Sequence, residues 1–174
     1  MKQKLIVWLP LAVTVALFGT FLVSLMRPPD RTIASRIIGQ PLPAFEAVAA
    51  IDGQAGTKNS DFADGKPRLL NVFASWCGPC VAEIPVLLKL KAMGVEINGV
   101  AVHDRSENLS RFLVENGNPY ARVGLDQGGR AQMAFGSAGV PETFVVDGKG
   151  RIIHQHIGAV SQEDIPILLA KLKS

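Results

Sequence analysis

The only two cysteines of the chain, Cys77 and Cys80, lie in the stretch Asn71–Pro85, NVFASWCGPCVAEIP, with Gly78 and Pro79 between them. That spacing admits three chemistries. A structural zinc site normally takes four ligands, and besides this pair only His103, His154 and His156 could help to complete one. A structural bridge across two residues closes so small a loop that it constrains little unfolded chain. A redox dithiol agrees best with the local pattern. If a helix starts at Cys77, its free N–H groups and positive dipole end favour a thiolate there. Cys80, one turn later, is then placed to attack a mixed disulfide formed on Cys77. Pro79 falls in the first turn, where its missing N–H matters little.

The surrounding pattern supplies such a helix. The apolar run Arg68–Ala74 (RLLNVFA) reads as a buried central strand leading into the cysteines. A helix is predicted from Cys77 to Met93, with Val81, Ile84, Leu87, Leu88 and Leu90 as its apolar positions and Gly94 as its stop. Residues 95–103 (VEINGVAVH) read as a second buried strand, and residues 106–117 as a helix with Ser106 as N-cap. A helical piece follows at 129–136. Then comes a hairpin, 142–158, turning at Asp147–Gly150, and a closing amphipathic helix with Ile165, Leu168, Leu169 and Leu172 inward. Residues 43–53 suggest an early strand, and 53–67, dense in Gly, Asn, Asp and Lys, a loop. The order β, β-α, β-α-α, β-β-α predicts an α/β domain: a mixed sheet with helices on both faces.

Composition adds an appendage. The chain has 174 residues, 48% of them hydrophobic, and a mean hydropathy of +0.24. Much of that apolarity is in Leu5–Met26, an uncharged run of about 22 residues, enough to cross a hydrocarbon core of ~30 Å. Lys2 and Lys4 precede it, which favours a cytoplasmic N-terminus and an exported remainder. A cleaved signal has a shorter apolar core and an A-x-A-like site, which VSLMRPP lacks. A retained anchor is therefore preferred to a cleaved signal or a buried helix. The expected organisation is a cytoplasmic N-terminus at 1–4, a transmembrane helix at 5–26, a polar linker at 27–38 and a domain at 39–174. Nucleic acid is not an expected partner: the net charge is only +3, Lys2 and Lys4 account for most of it, and no basic run remains.

The motif WCGPC, Trp76–Cys80, resembles the thioredoxin active site, with Pro85 where that active-site helix has its kinking proline. The segment Leu69–Pro85, together with GVPETF (Gly139–Phe144), GNPYARVGLD (Gly117–Asp126) and IGQPLPAF (Ile38–Phe45), resembles the CcmG/DsbE family. These are membrane-anchored periplasmic thioredoxin-like thiol:disulfide interchange proteins of cytochrome c maturation. The resemblance runs from about Gly39 to the C-terminus. It implies a thioredoxin-like fold, a redox disulfide between Cys77 and Cys80, and a cis Val140–Pro141 bond beside it. It implies that Val140 and Pro141 receive an extended cysteine-containing peptide, and that Trp76 shields the Cys77 sulfur. Without the resemblance, a trans proline opening the next strand is an equal reading.

Asn71 stands where thioredoxin has a buried aspartate, and an amide cannot take the proton of the Cys80 thiol. The resemblance points instead to nearby acids, here Glu83 and Glu142, as catalytic carboxyls. A partly buried carboxylate has a raised pKa and could relay protons; the plain alternative is that both are solvated. His103 and Asp104 read as a solvated loop, and Tyr120 as a possible contact residue. No cofactor or metal is implied beyond the dithiol.

Energetics suggest the direction of electron flow. Thioredoxin, with the same Gly-Pro dipeptide, lies near about −270 mV and the oxidant DsbA near about −120 mV, a gap of about 7 kcal/mol for two electrons. Gly-Pro therefore favours a reductant. In an oxidising compartment that reductant needs a membrane donor, which the resemblance makes a CcdA- or DsbD-type protein of the inner membrane. The implied substrate is the disulfide of apocytochrome c at its haem-attachment motif, or that of an assembly thiol protein. A broader reductase or isomerase of the cell envelope, and a non-redox apocytochrome-binding module, are the competing readings.

Overall fold

The computed structural model describes residues 2–26 and 37–173. The chain divides into two units, 1–33 and 34–174. The first contains α1, Lys2–Met26, a helix of 25 residues. Its two threonines return their hydroxyls to the preceding turn: Thr14 Oγ1 donates to the carbonyl of Pro10 at 2.9 Å and Thr20 Oγ1 to that of Ala16 at 3.0 Å. Both are thus satisfied without water. Counted over the described side chains alone, no helix is long and apolar enough to cross a membrane, since part of α1 falls outside them. Residues 27–36 of the expected linker also lie outside the described residues.

The second unit is built on a seven-stranded sheet in the order β2-β1-β5-β4-β3-β6-β7. Its strands are β1 (Glu46–Ala49), β2 (Thr57–Lys58), β3 (Arg68–Phe73), β4 (Ile97–Val102), β5 (Arg122–Asp126), β6 (Glu142–Val146) and β7 (Ile152–Ile157). The central strands β3, β4 and β5 are parallel, and the outer strands run antiparallel. The helices are α2 (Gly78–Ala92), α3 (Ser106–Asn116), α4 (Arg130–Ala134) and α5 (Ile165–Leu172). Parallel strands need crossovers, and α2 and α3 supply them.

Every residue of β3 is buried, and the period of two divides its side chains between the faces. Leu69 and Phe73 pack with Ile84 and Leu87 of α2, Phe112 of α3 and Leu168 of α5. Leu70 and Val72 face the other way, against Phe62, Phe135 and Phe144. Helices thus cover both faces, as the sequence predicts; among the described residues of this unit, α4 and the 3₁₀ turn at Asn59–Phe62 contribute to the second face. Asn71, between Leu70 and Val72, shares the first face with Leu69 and Phe73.

Four differences from the sequence reading have local causes. β5 is a strand where none is predicted, because Gly124 and the charged Arg122 and Asp126 obscure a five-residue run. The glycine is there for closeness: a Cβ on it would lie 2.9 Å from Thr57 Cγ2, and nearer still to the Ala47 methyl. The predicted loop 53–67 contains β2 and a 3₁₀ turn, Asn59–Phe62, whose Phe62 is fully buried. Ser106 is the first helical residue of α3 rather than its cap; Arg105 is the N-cap, in extended conformation. Val81 points outward and is 40% exposed. α2 does stop at Gly94, which takes φ +87° while its N–H donates to Lys91 O at 2.9 Å.

Candidate functional site

Cys77 is the N-cap of α2 and is joined to Cys80 by a disulfide, with Cα atoms 5.2 Å apart. The N–H of Cys80 donates to Cys77 Sγ at 3.2 Å. Sulfur thus occupies the place that a capping oxygen takes at other helix starts. Cys77 is 4% exposed and Cys80 1%, so the first cysteine is the more accessible of the pair.

The residues before Cys77 are held from the loop after β4. Asp104 Oδ2 accepts from the N–H of Ser75 at 2.6 Å, and Asp104 Oδ1 accepts from Ser75 Oγ at 2.9 Å. Asp104 is therefore a buried brace for the turn into the cysteines, not the solvated loop residue read from sequence. His103 is exposed, with φ +50°. Trp76 Nε1 donates to the His103 carbonyl at 3.1 Å, and its ring is 61% exposed. It stands beside Cys77 in sequence as an open apolar surface, not as core.

Glu83 is fully buried one helical turn beyond Cys80. Its Oε1 accepts from Asn71 Nδ2 at 3.0 Å and its Oε2 from the N–H of Val160 at 3.1 Å. Burial pushes its pKa up to about 7, against the pull of those two donors. Asn71 Nδ2 also donates to Thr143 Oγ1 at 3.0 Å, and Asn71 Oδ1 accepts from the Tyr120 hydroxyl at 2.7 Å. The Tyr120 pKa is raised well above its usual value, first by burial and then by Glu83. All four side chains are buried. Tyr120 is thus a core residue stacked on Phe73, with ring centroids 4.6 Å apart, and not a contact residue for substrate.

Glu142 is also buried, contrary to the solvated alternative, and accepts from Gln155 Nε2. It lies elsewhere, however. Its register partner is Val72, whose side chain belongs to the second face. The sheet therefore separates Glu142 from Glu83. The Val140–Pro141 bond just before it is cis, and Val140 is partly buried against both cores. His154 and His156 stand two apart on β7. Among the described residues no three groups come together that could hold a metal ion.

Sequence reasoning identified Asn71 as a departure but not as the centre of this network, and it missed Thr143 and the Val160 N–H. One signal was available: an amide within an otherwise apolar central strand must find partners. Its partners come from α2, from β6 and from the turn before β5, which no local pattern connects.

Residues 37–172 match the Redoxin family. The thiol:disulfide interchange protein HelX of Rhodobacter capsulatus is 37% identical over 162 residues, covering 93% of this chain and 92% of that protein. DsbE of Haemophilus influenzae, also a thiol:disulfide interchange protein, is 38% identical over 167 residues, covering 94% and 91%. The crystal structure of a thiol:disulfide interchange protein of the thioredoxin family from Chlorobium tepidum superposes with a TM-score of 0.63 at 27% identity, covering 79% of this chain and 98% of that one.

Proposed function

The chain belongs to the redoxin family as a DsbE-type thiol:disulfide interchange protein of thioredoxin-like fold, and from that premise we propose that it is a membrane-anchored periplasmic reductant serving cytochrome c biogenesis. Its substrate is the disulfide between the haem-binding cysteines of apocytochrome c, or that of an assembly factor that handles them. The observation that carries this reading is the pairing of a sulfur-capped helix start at Cys77 with a buried acid, Glu83, one turn beyond Cys80.

In the reduced protein the Cys77 thiolate attacks one substrate sulfur. A Cys77–substrate disulfide forms, and the other substrate sulfur leaves as thiolate. Cys80 then gives its proton to Glu83 and attacks Cys77 Sγ, which closes the Cys77–Cys80 disulfide and releases the second substrate thiol. Two electrons pass to the substrate, and the proton on Glu83 returns to a departing thiolate. A CcdA- or DsbD-type membrane donor restores the dithiol with two electrons from the cytoplasmic side. The substrate peptide lies along Val140 and the cis Pro141, and Trp76 offers it an apolar face. Helix α1, with its uncharged run Leu5–Met26, holds the domain to the inner membrane with the N-terminus cytoplasmic.

Cys80→Ser traps the mixed disulfide, because nothing then resolves it. Recovery of apocytochrome c or a dedicated cytochrome assembly protein supports the reading. Recovery mainly of unrelated secreted proteins overturns it in favour of a broader envelope reductase.

A further inference from the structure

Asn71 reaches three side chains, and each of them can act as hydrogen-bond donor or acceptor: the Glu83 carboxyl, the Thr143 hydroxyl and the Tyr120 hydroxyl. In the arrangement observed, both Nδ2 hydrogens are used, on Glu83 Oε1 and Thr143 Oγ1, while Oδ1 accepts from Tyr120. With the Val160 N–H on Oε2, this arrangement satisfies a carboxylate at both oxygens. It leaves a protonated Glu83 no acceptor for a proton on Oε1.

A half-turn of the amide about its Cγ bond removes the conflict. Oδ1 then accepts from the Glu83 O–H and the Thr143 O–H, and Nδ2 donates to the Tyr120 oxygen. Each pairing reverses; the cost is one Nδ2 hydrogen and the Tyr120 O–H left without an acceptor in this network, set against the Glu83 O–H that is satisfied. An aspartate at position 71 could not do this, since its ionised form only accepts and would repel the Glu83 carboxylate.

We propose that Asn71 is a positioning residue whose carboxamide turns over as Glu83 gains and loses its proton, with the Thr143 and Tyr120 hydroxyls reversing alongside it. This rests on the reading of Glu83 as proton acceptor for Cys80 and supplies what that role requires: a buried acid stabilised in both protonation states. The titratable groups around Glu83 are few. Cys77 and Cys80 come from the start of α2, and Tyr120 from the turn before β5. His156 lies on β7 opposite Thr143, with Asp164 3.7 Å from its Nδ1. Glu142 is on the far side of the sheet.

The test uses the full-length oxidised protein in detergent micelles, where the bridged cysteines do not titrate. Nuclear magnetic resonance follows the Glu83 carboxyl carbon, the Asn71 side-chain amide and the Tyr120 ring carbon bearing the hydroxyl as pH is varied. The expected result is one shared midpoint near about 7, with the Asn71 and Tyr120 signals becoming flat in Glu83→Gln. The proposal is overturned if those signals stay flat while Glu83 titrates, or if they titrate unchanged in Glu83→Gln by following His156. It is equally overturned if Glu83 has no midpoint in this range. Substrate plays no part in the measurement, so failure here leaves the trapping result untouched, and failure of trapping leaves this one standing.

Discussion

The Asn71 amide nitrogen lies 3.0 Å from the Glu83 carboxyl, and neither residue is exposed to solvent. A strand amide and a helix carboxyl thus meet one turn of α2 beyond Cys80, on the face of β3 that packs against α2. As observed the amide donates to the carboxylate, and a hydrogen bond to a charged group outweighs the neutral one made after the amide turns over. Asn71→Leu is therefore expected to raise the Glu83 midpoint by up to about one unit, the difference between those two hydrogen bonds. The same change leaves the Tyr120 hydroxyl without its partner, at a cost in stability of about 1–3 kcal/mol. Titration of the Glu83 carbon and denaturant unfolding check the two effects.

Turnover should report the same acid. With Glu83 accepting the Cys80 proton, disulfide exchange in the direction of substrate reduction rises as Glu83 ionises, with an inflection near about 7. Glu83→Gln keeps the shape but cannot accept the proton. It is expected to lower the rate of the resolving step by about 10²-fold and to erase that inflection. Single-turnover exchange with a peptide disulfide across pH checks this; a Glu83→Gln profile that keeps the inflection would assign it to another group.

Stability of the oxidised protein carries the complementary signature. Burial raises the folded pKa of Glu83 from 4.5 to about 7, so the native state holds this proton more tightly than the unfolded chain does. The associated stability is fully present below about pH 4.5 and is lost as pH rises through about 7. The total is roughly 3 kcal/mol. Glu83→Gln, which stays neutral, is expected to lose most of this pH dependence and to gain on the native protein above neutrality. Denaturant midpoints measured across that range read it directly.

Local pattern carried the sequence reading far: the strand expected at Arg68–Ala74 and found at Arg68–Phe73, the helix after Cys77, its stop at Gly94, the hairpin and the closing helix all follow from periodicity and glycine. What it could not show depends on contacts remote in sequence. Asp104 looks like an ordinary polar residue after a strand, and only the fold brings it against Ser75. Glu83 and Glu142 look equivalent as acids near the site, yet the register of β6 on β3 puts them on opposite faces. Tyr120 beside Pro119 looks accessible and is buried, because its hydroxyl is needed inside by Asn71.

Trp76 allows binding to be separated from stability. Its ring is 61% exposed, and its Nε1 donates to the His103 carbonyl. Trp76→Ala is therefore expected to change unfolding free energy by only about 0.5 kcal/mol. If the ring supports the substrate peptide, the apparent KM for a peptide disulfide should rise about tenfold, since base-level apolar contact of this size is worth about 1–2 kcal/mol. Paired measurements of unfolding and exchange kinetics decide whether the open indole is a docking surface or an idle one.

The strand that sequence did not reveal gives a prediction about the fold alone. Gly124 lies in the middle of β5, between β4 and the antiparallel β1. A methyl group there would come within 2.9 Å of Thr57 Cγ2 and of the Ala47 carbonyl oxygen, besides the Ala47 side chain itself. Ala47 is on β1, hydrogen-bonded to β5, and Thr57 is on β2, hydrogen-bonded to β1, so neither backbone can withdraw without breaking ladder hydrogen bonds. Gly124→Ala is therefore expected to destabilise the domain by about 1–3 kcal/mol, the usual range for overpacking. The exchange chemistry of the surviving folded fraction should be unchanged, because β4 lies between β5 and β3, the strand that leads into the cysteines. The double change Gly124→Ala with Ala47→Gly should recover part of the loss by vacating the nearest methyl, and a thermal unfolding series over the four proteins checks it; equal destabilisation with and without Ala47→Gly would locate the strain in β5 itself rather than in the crossing.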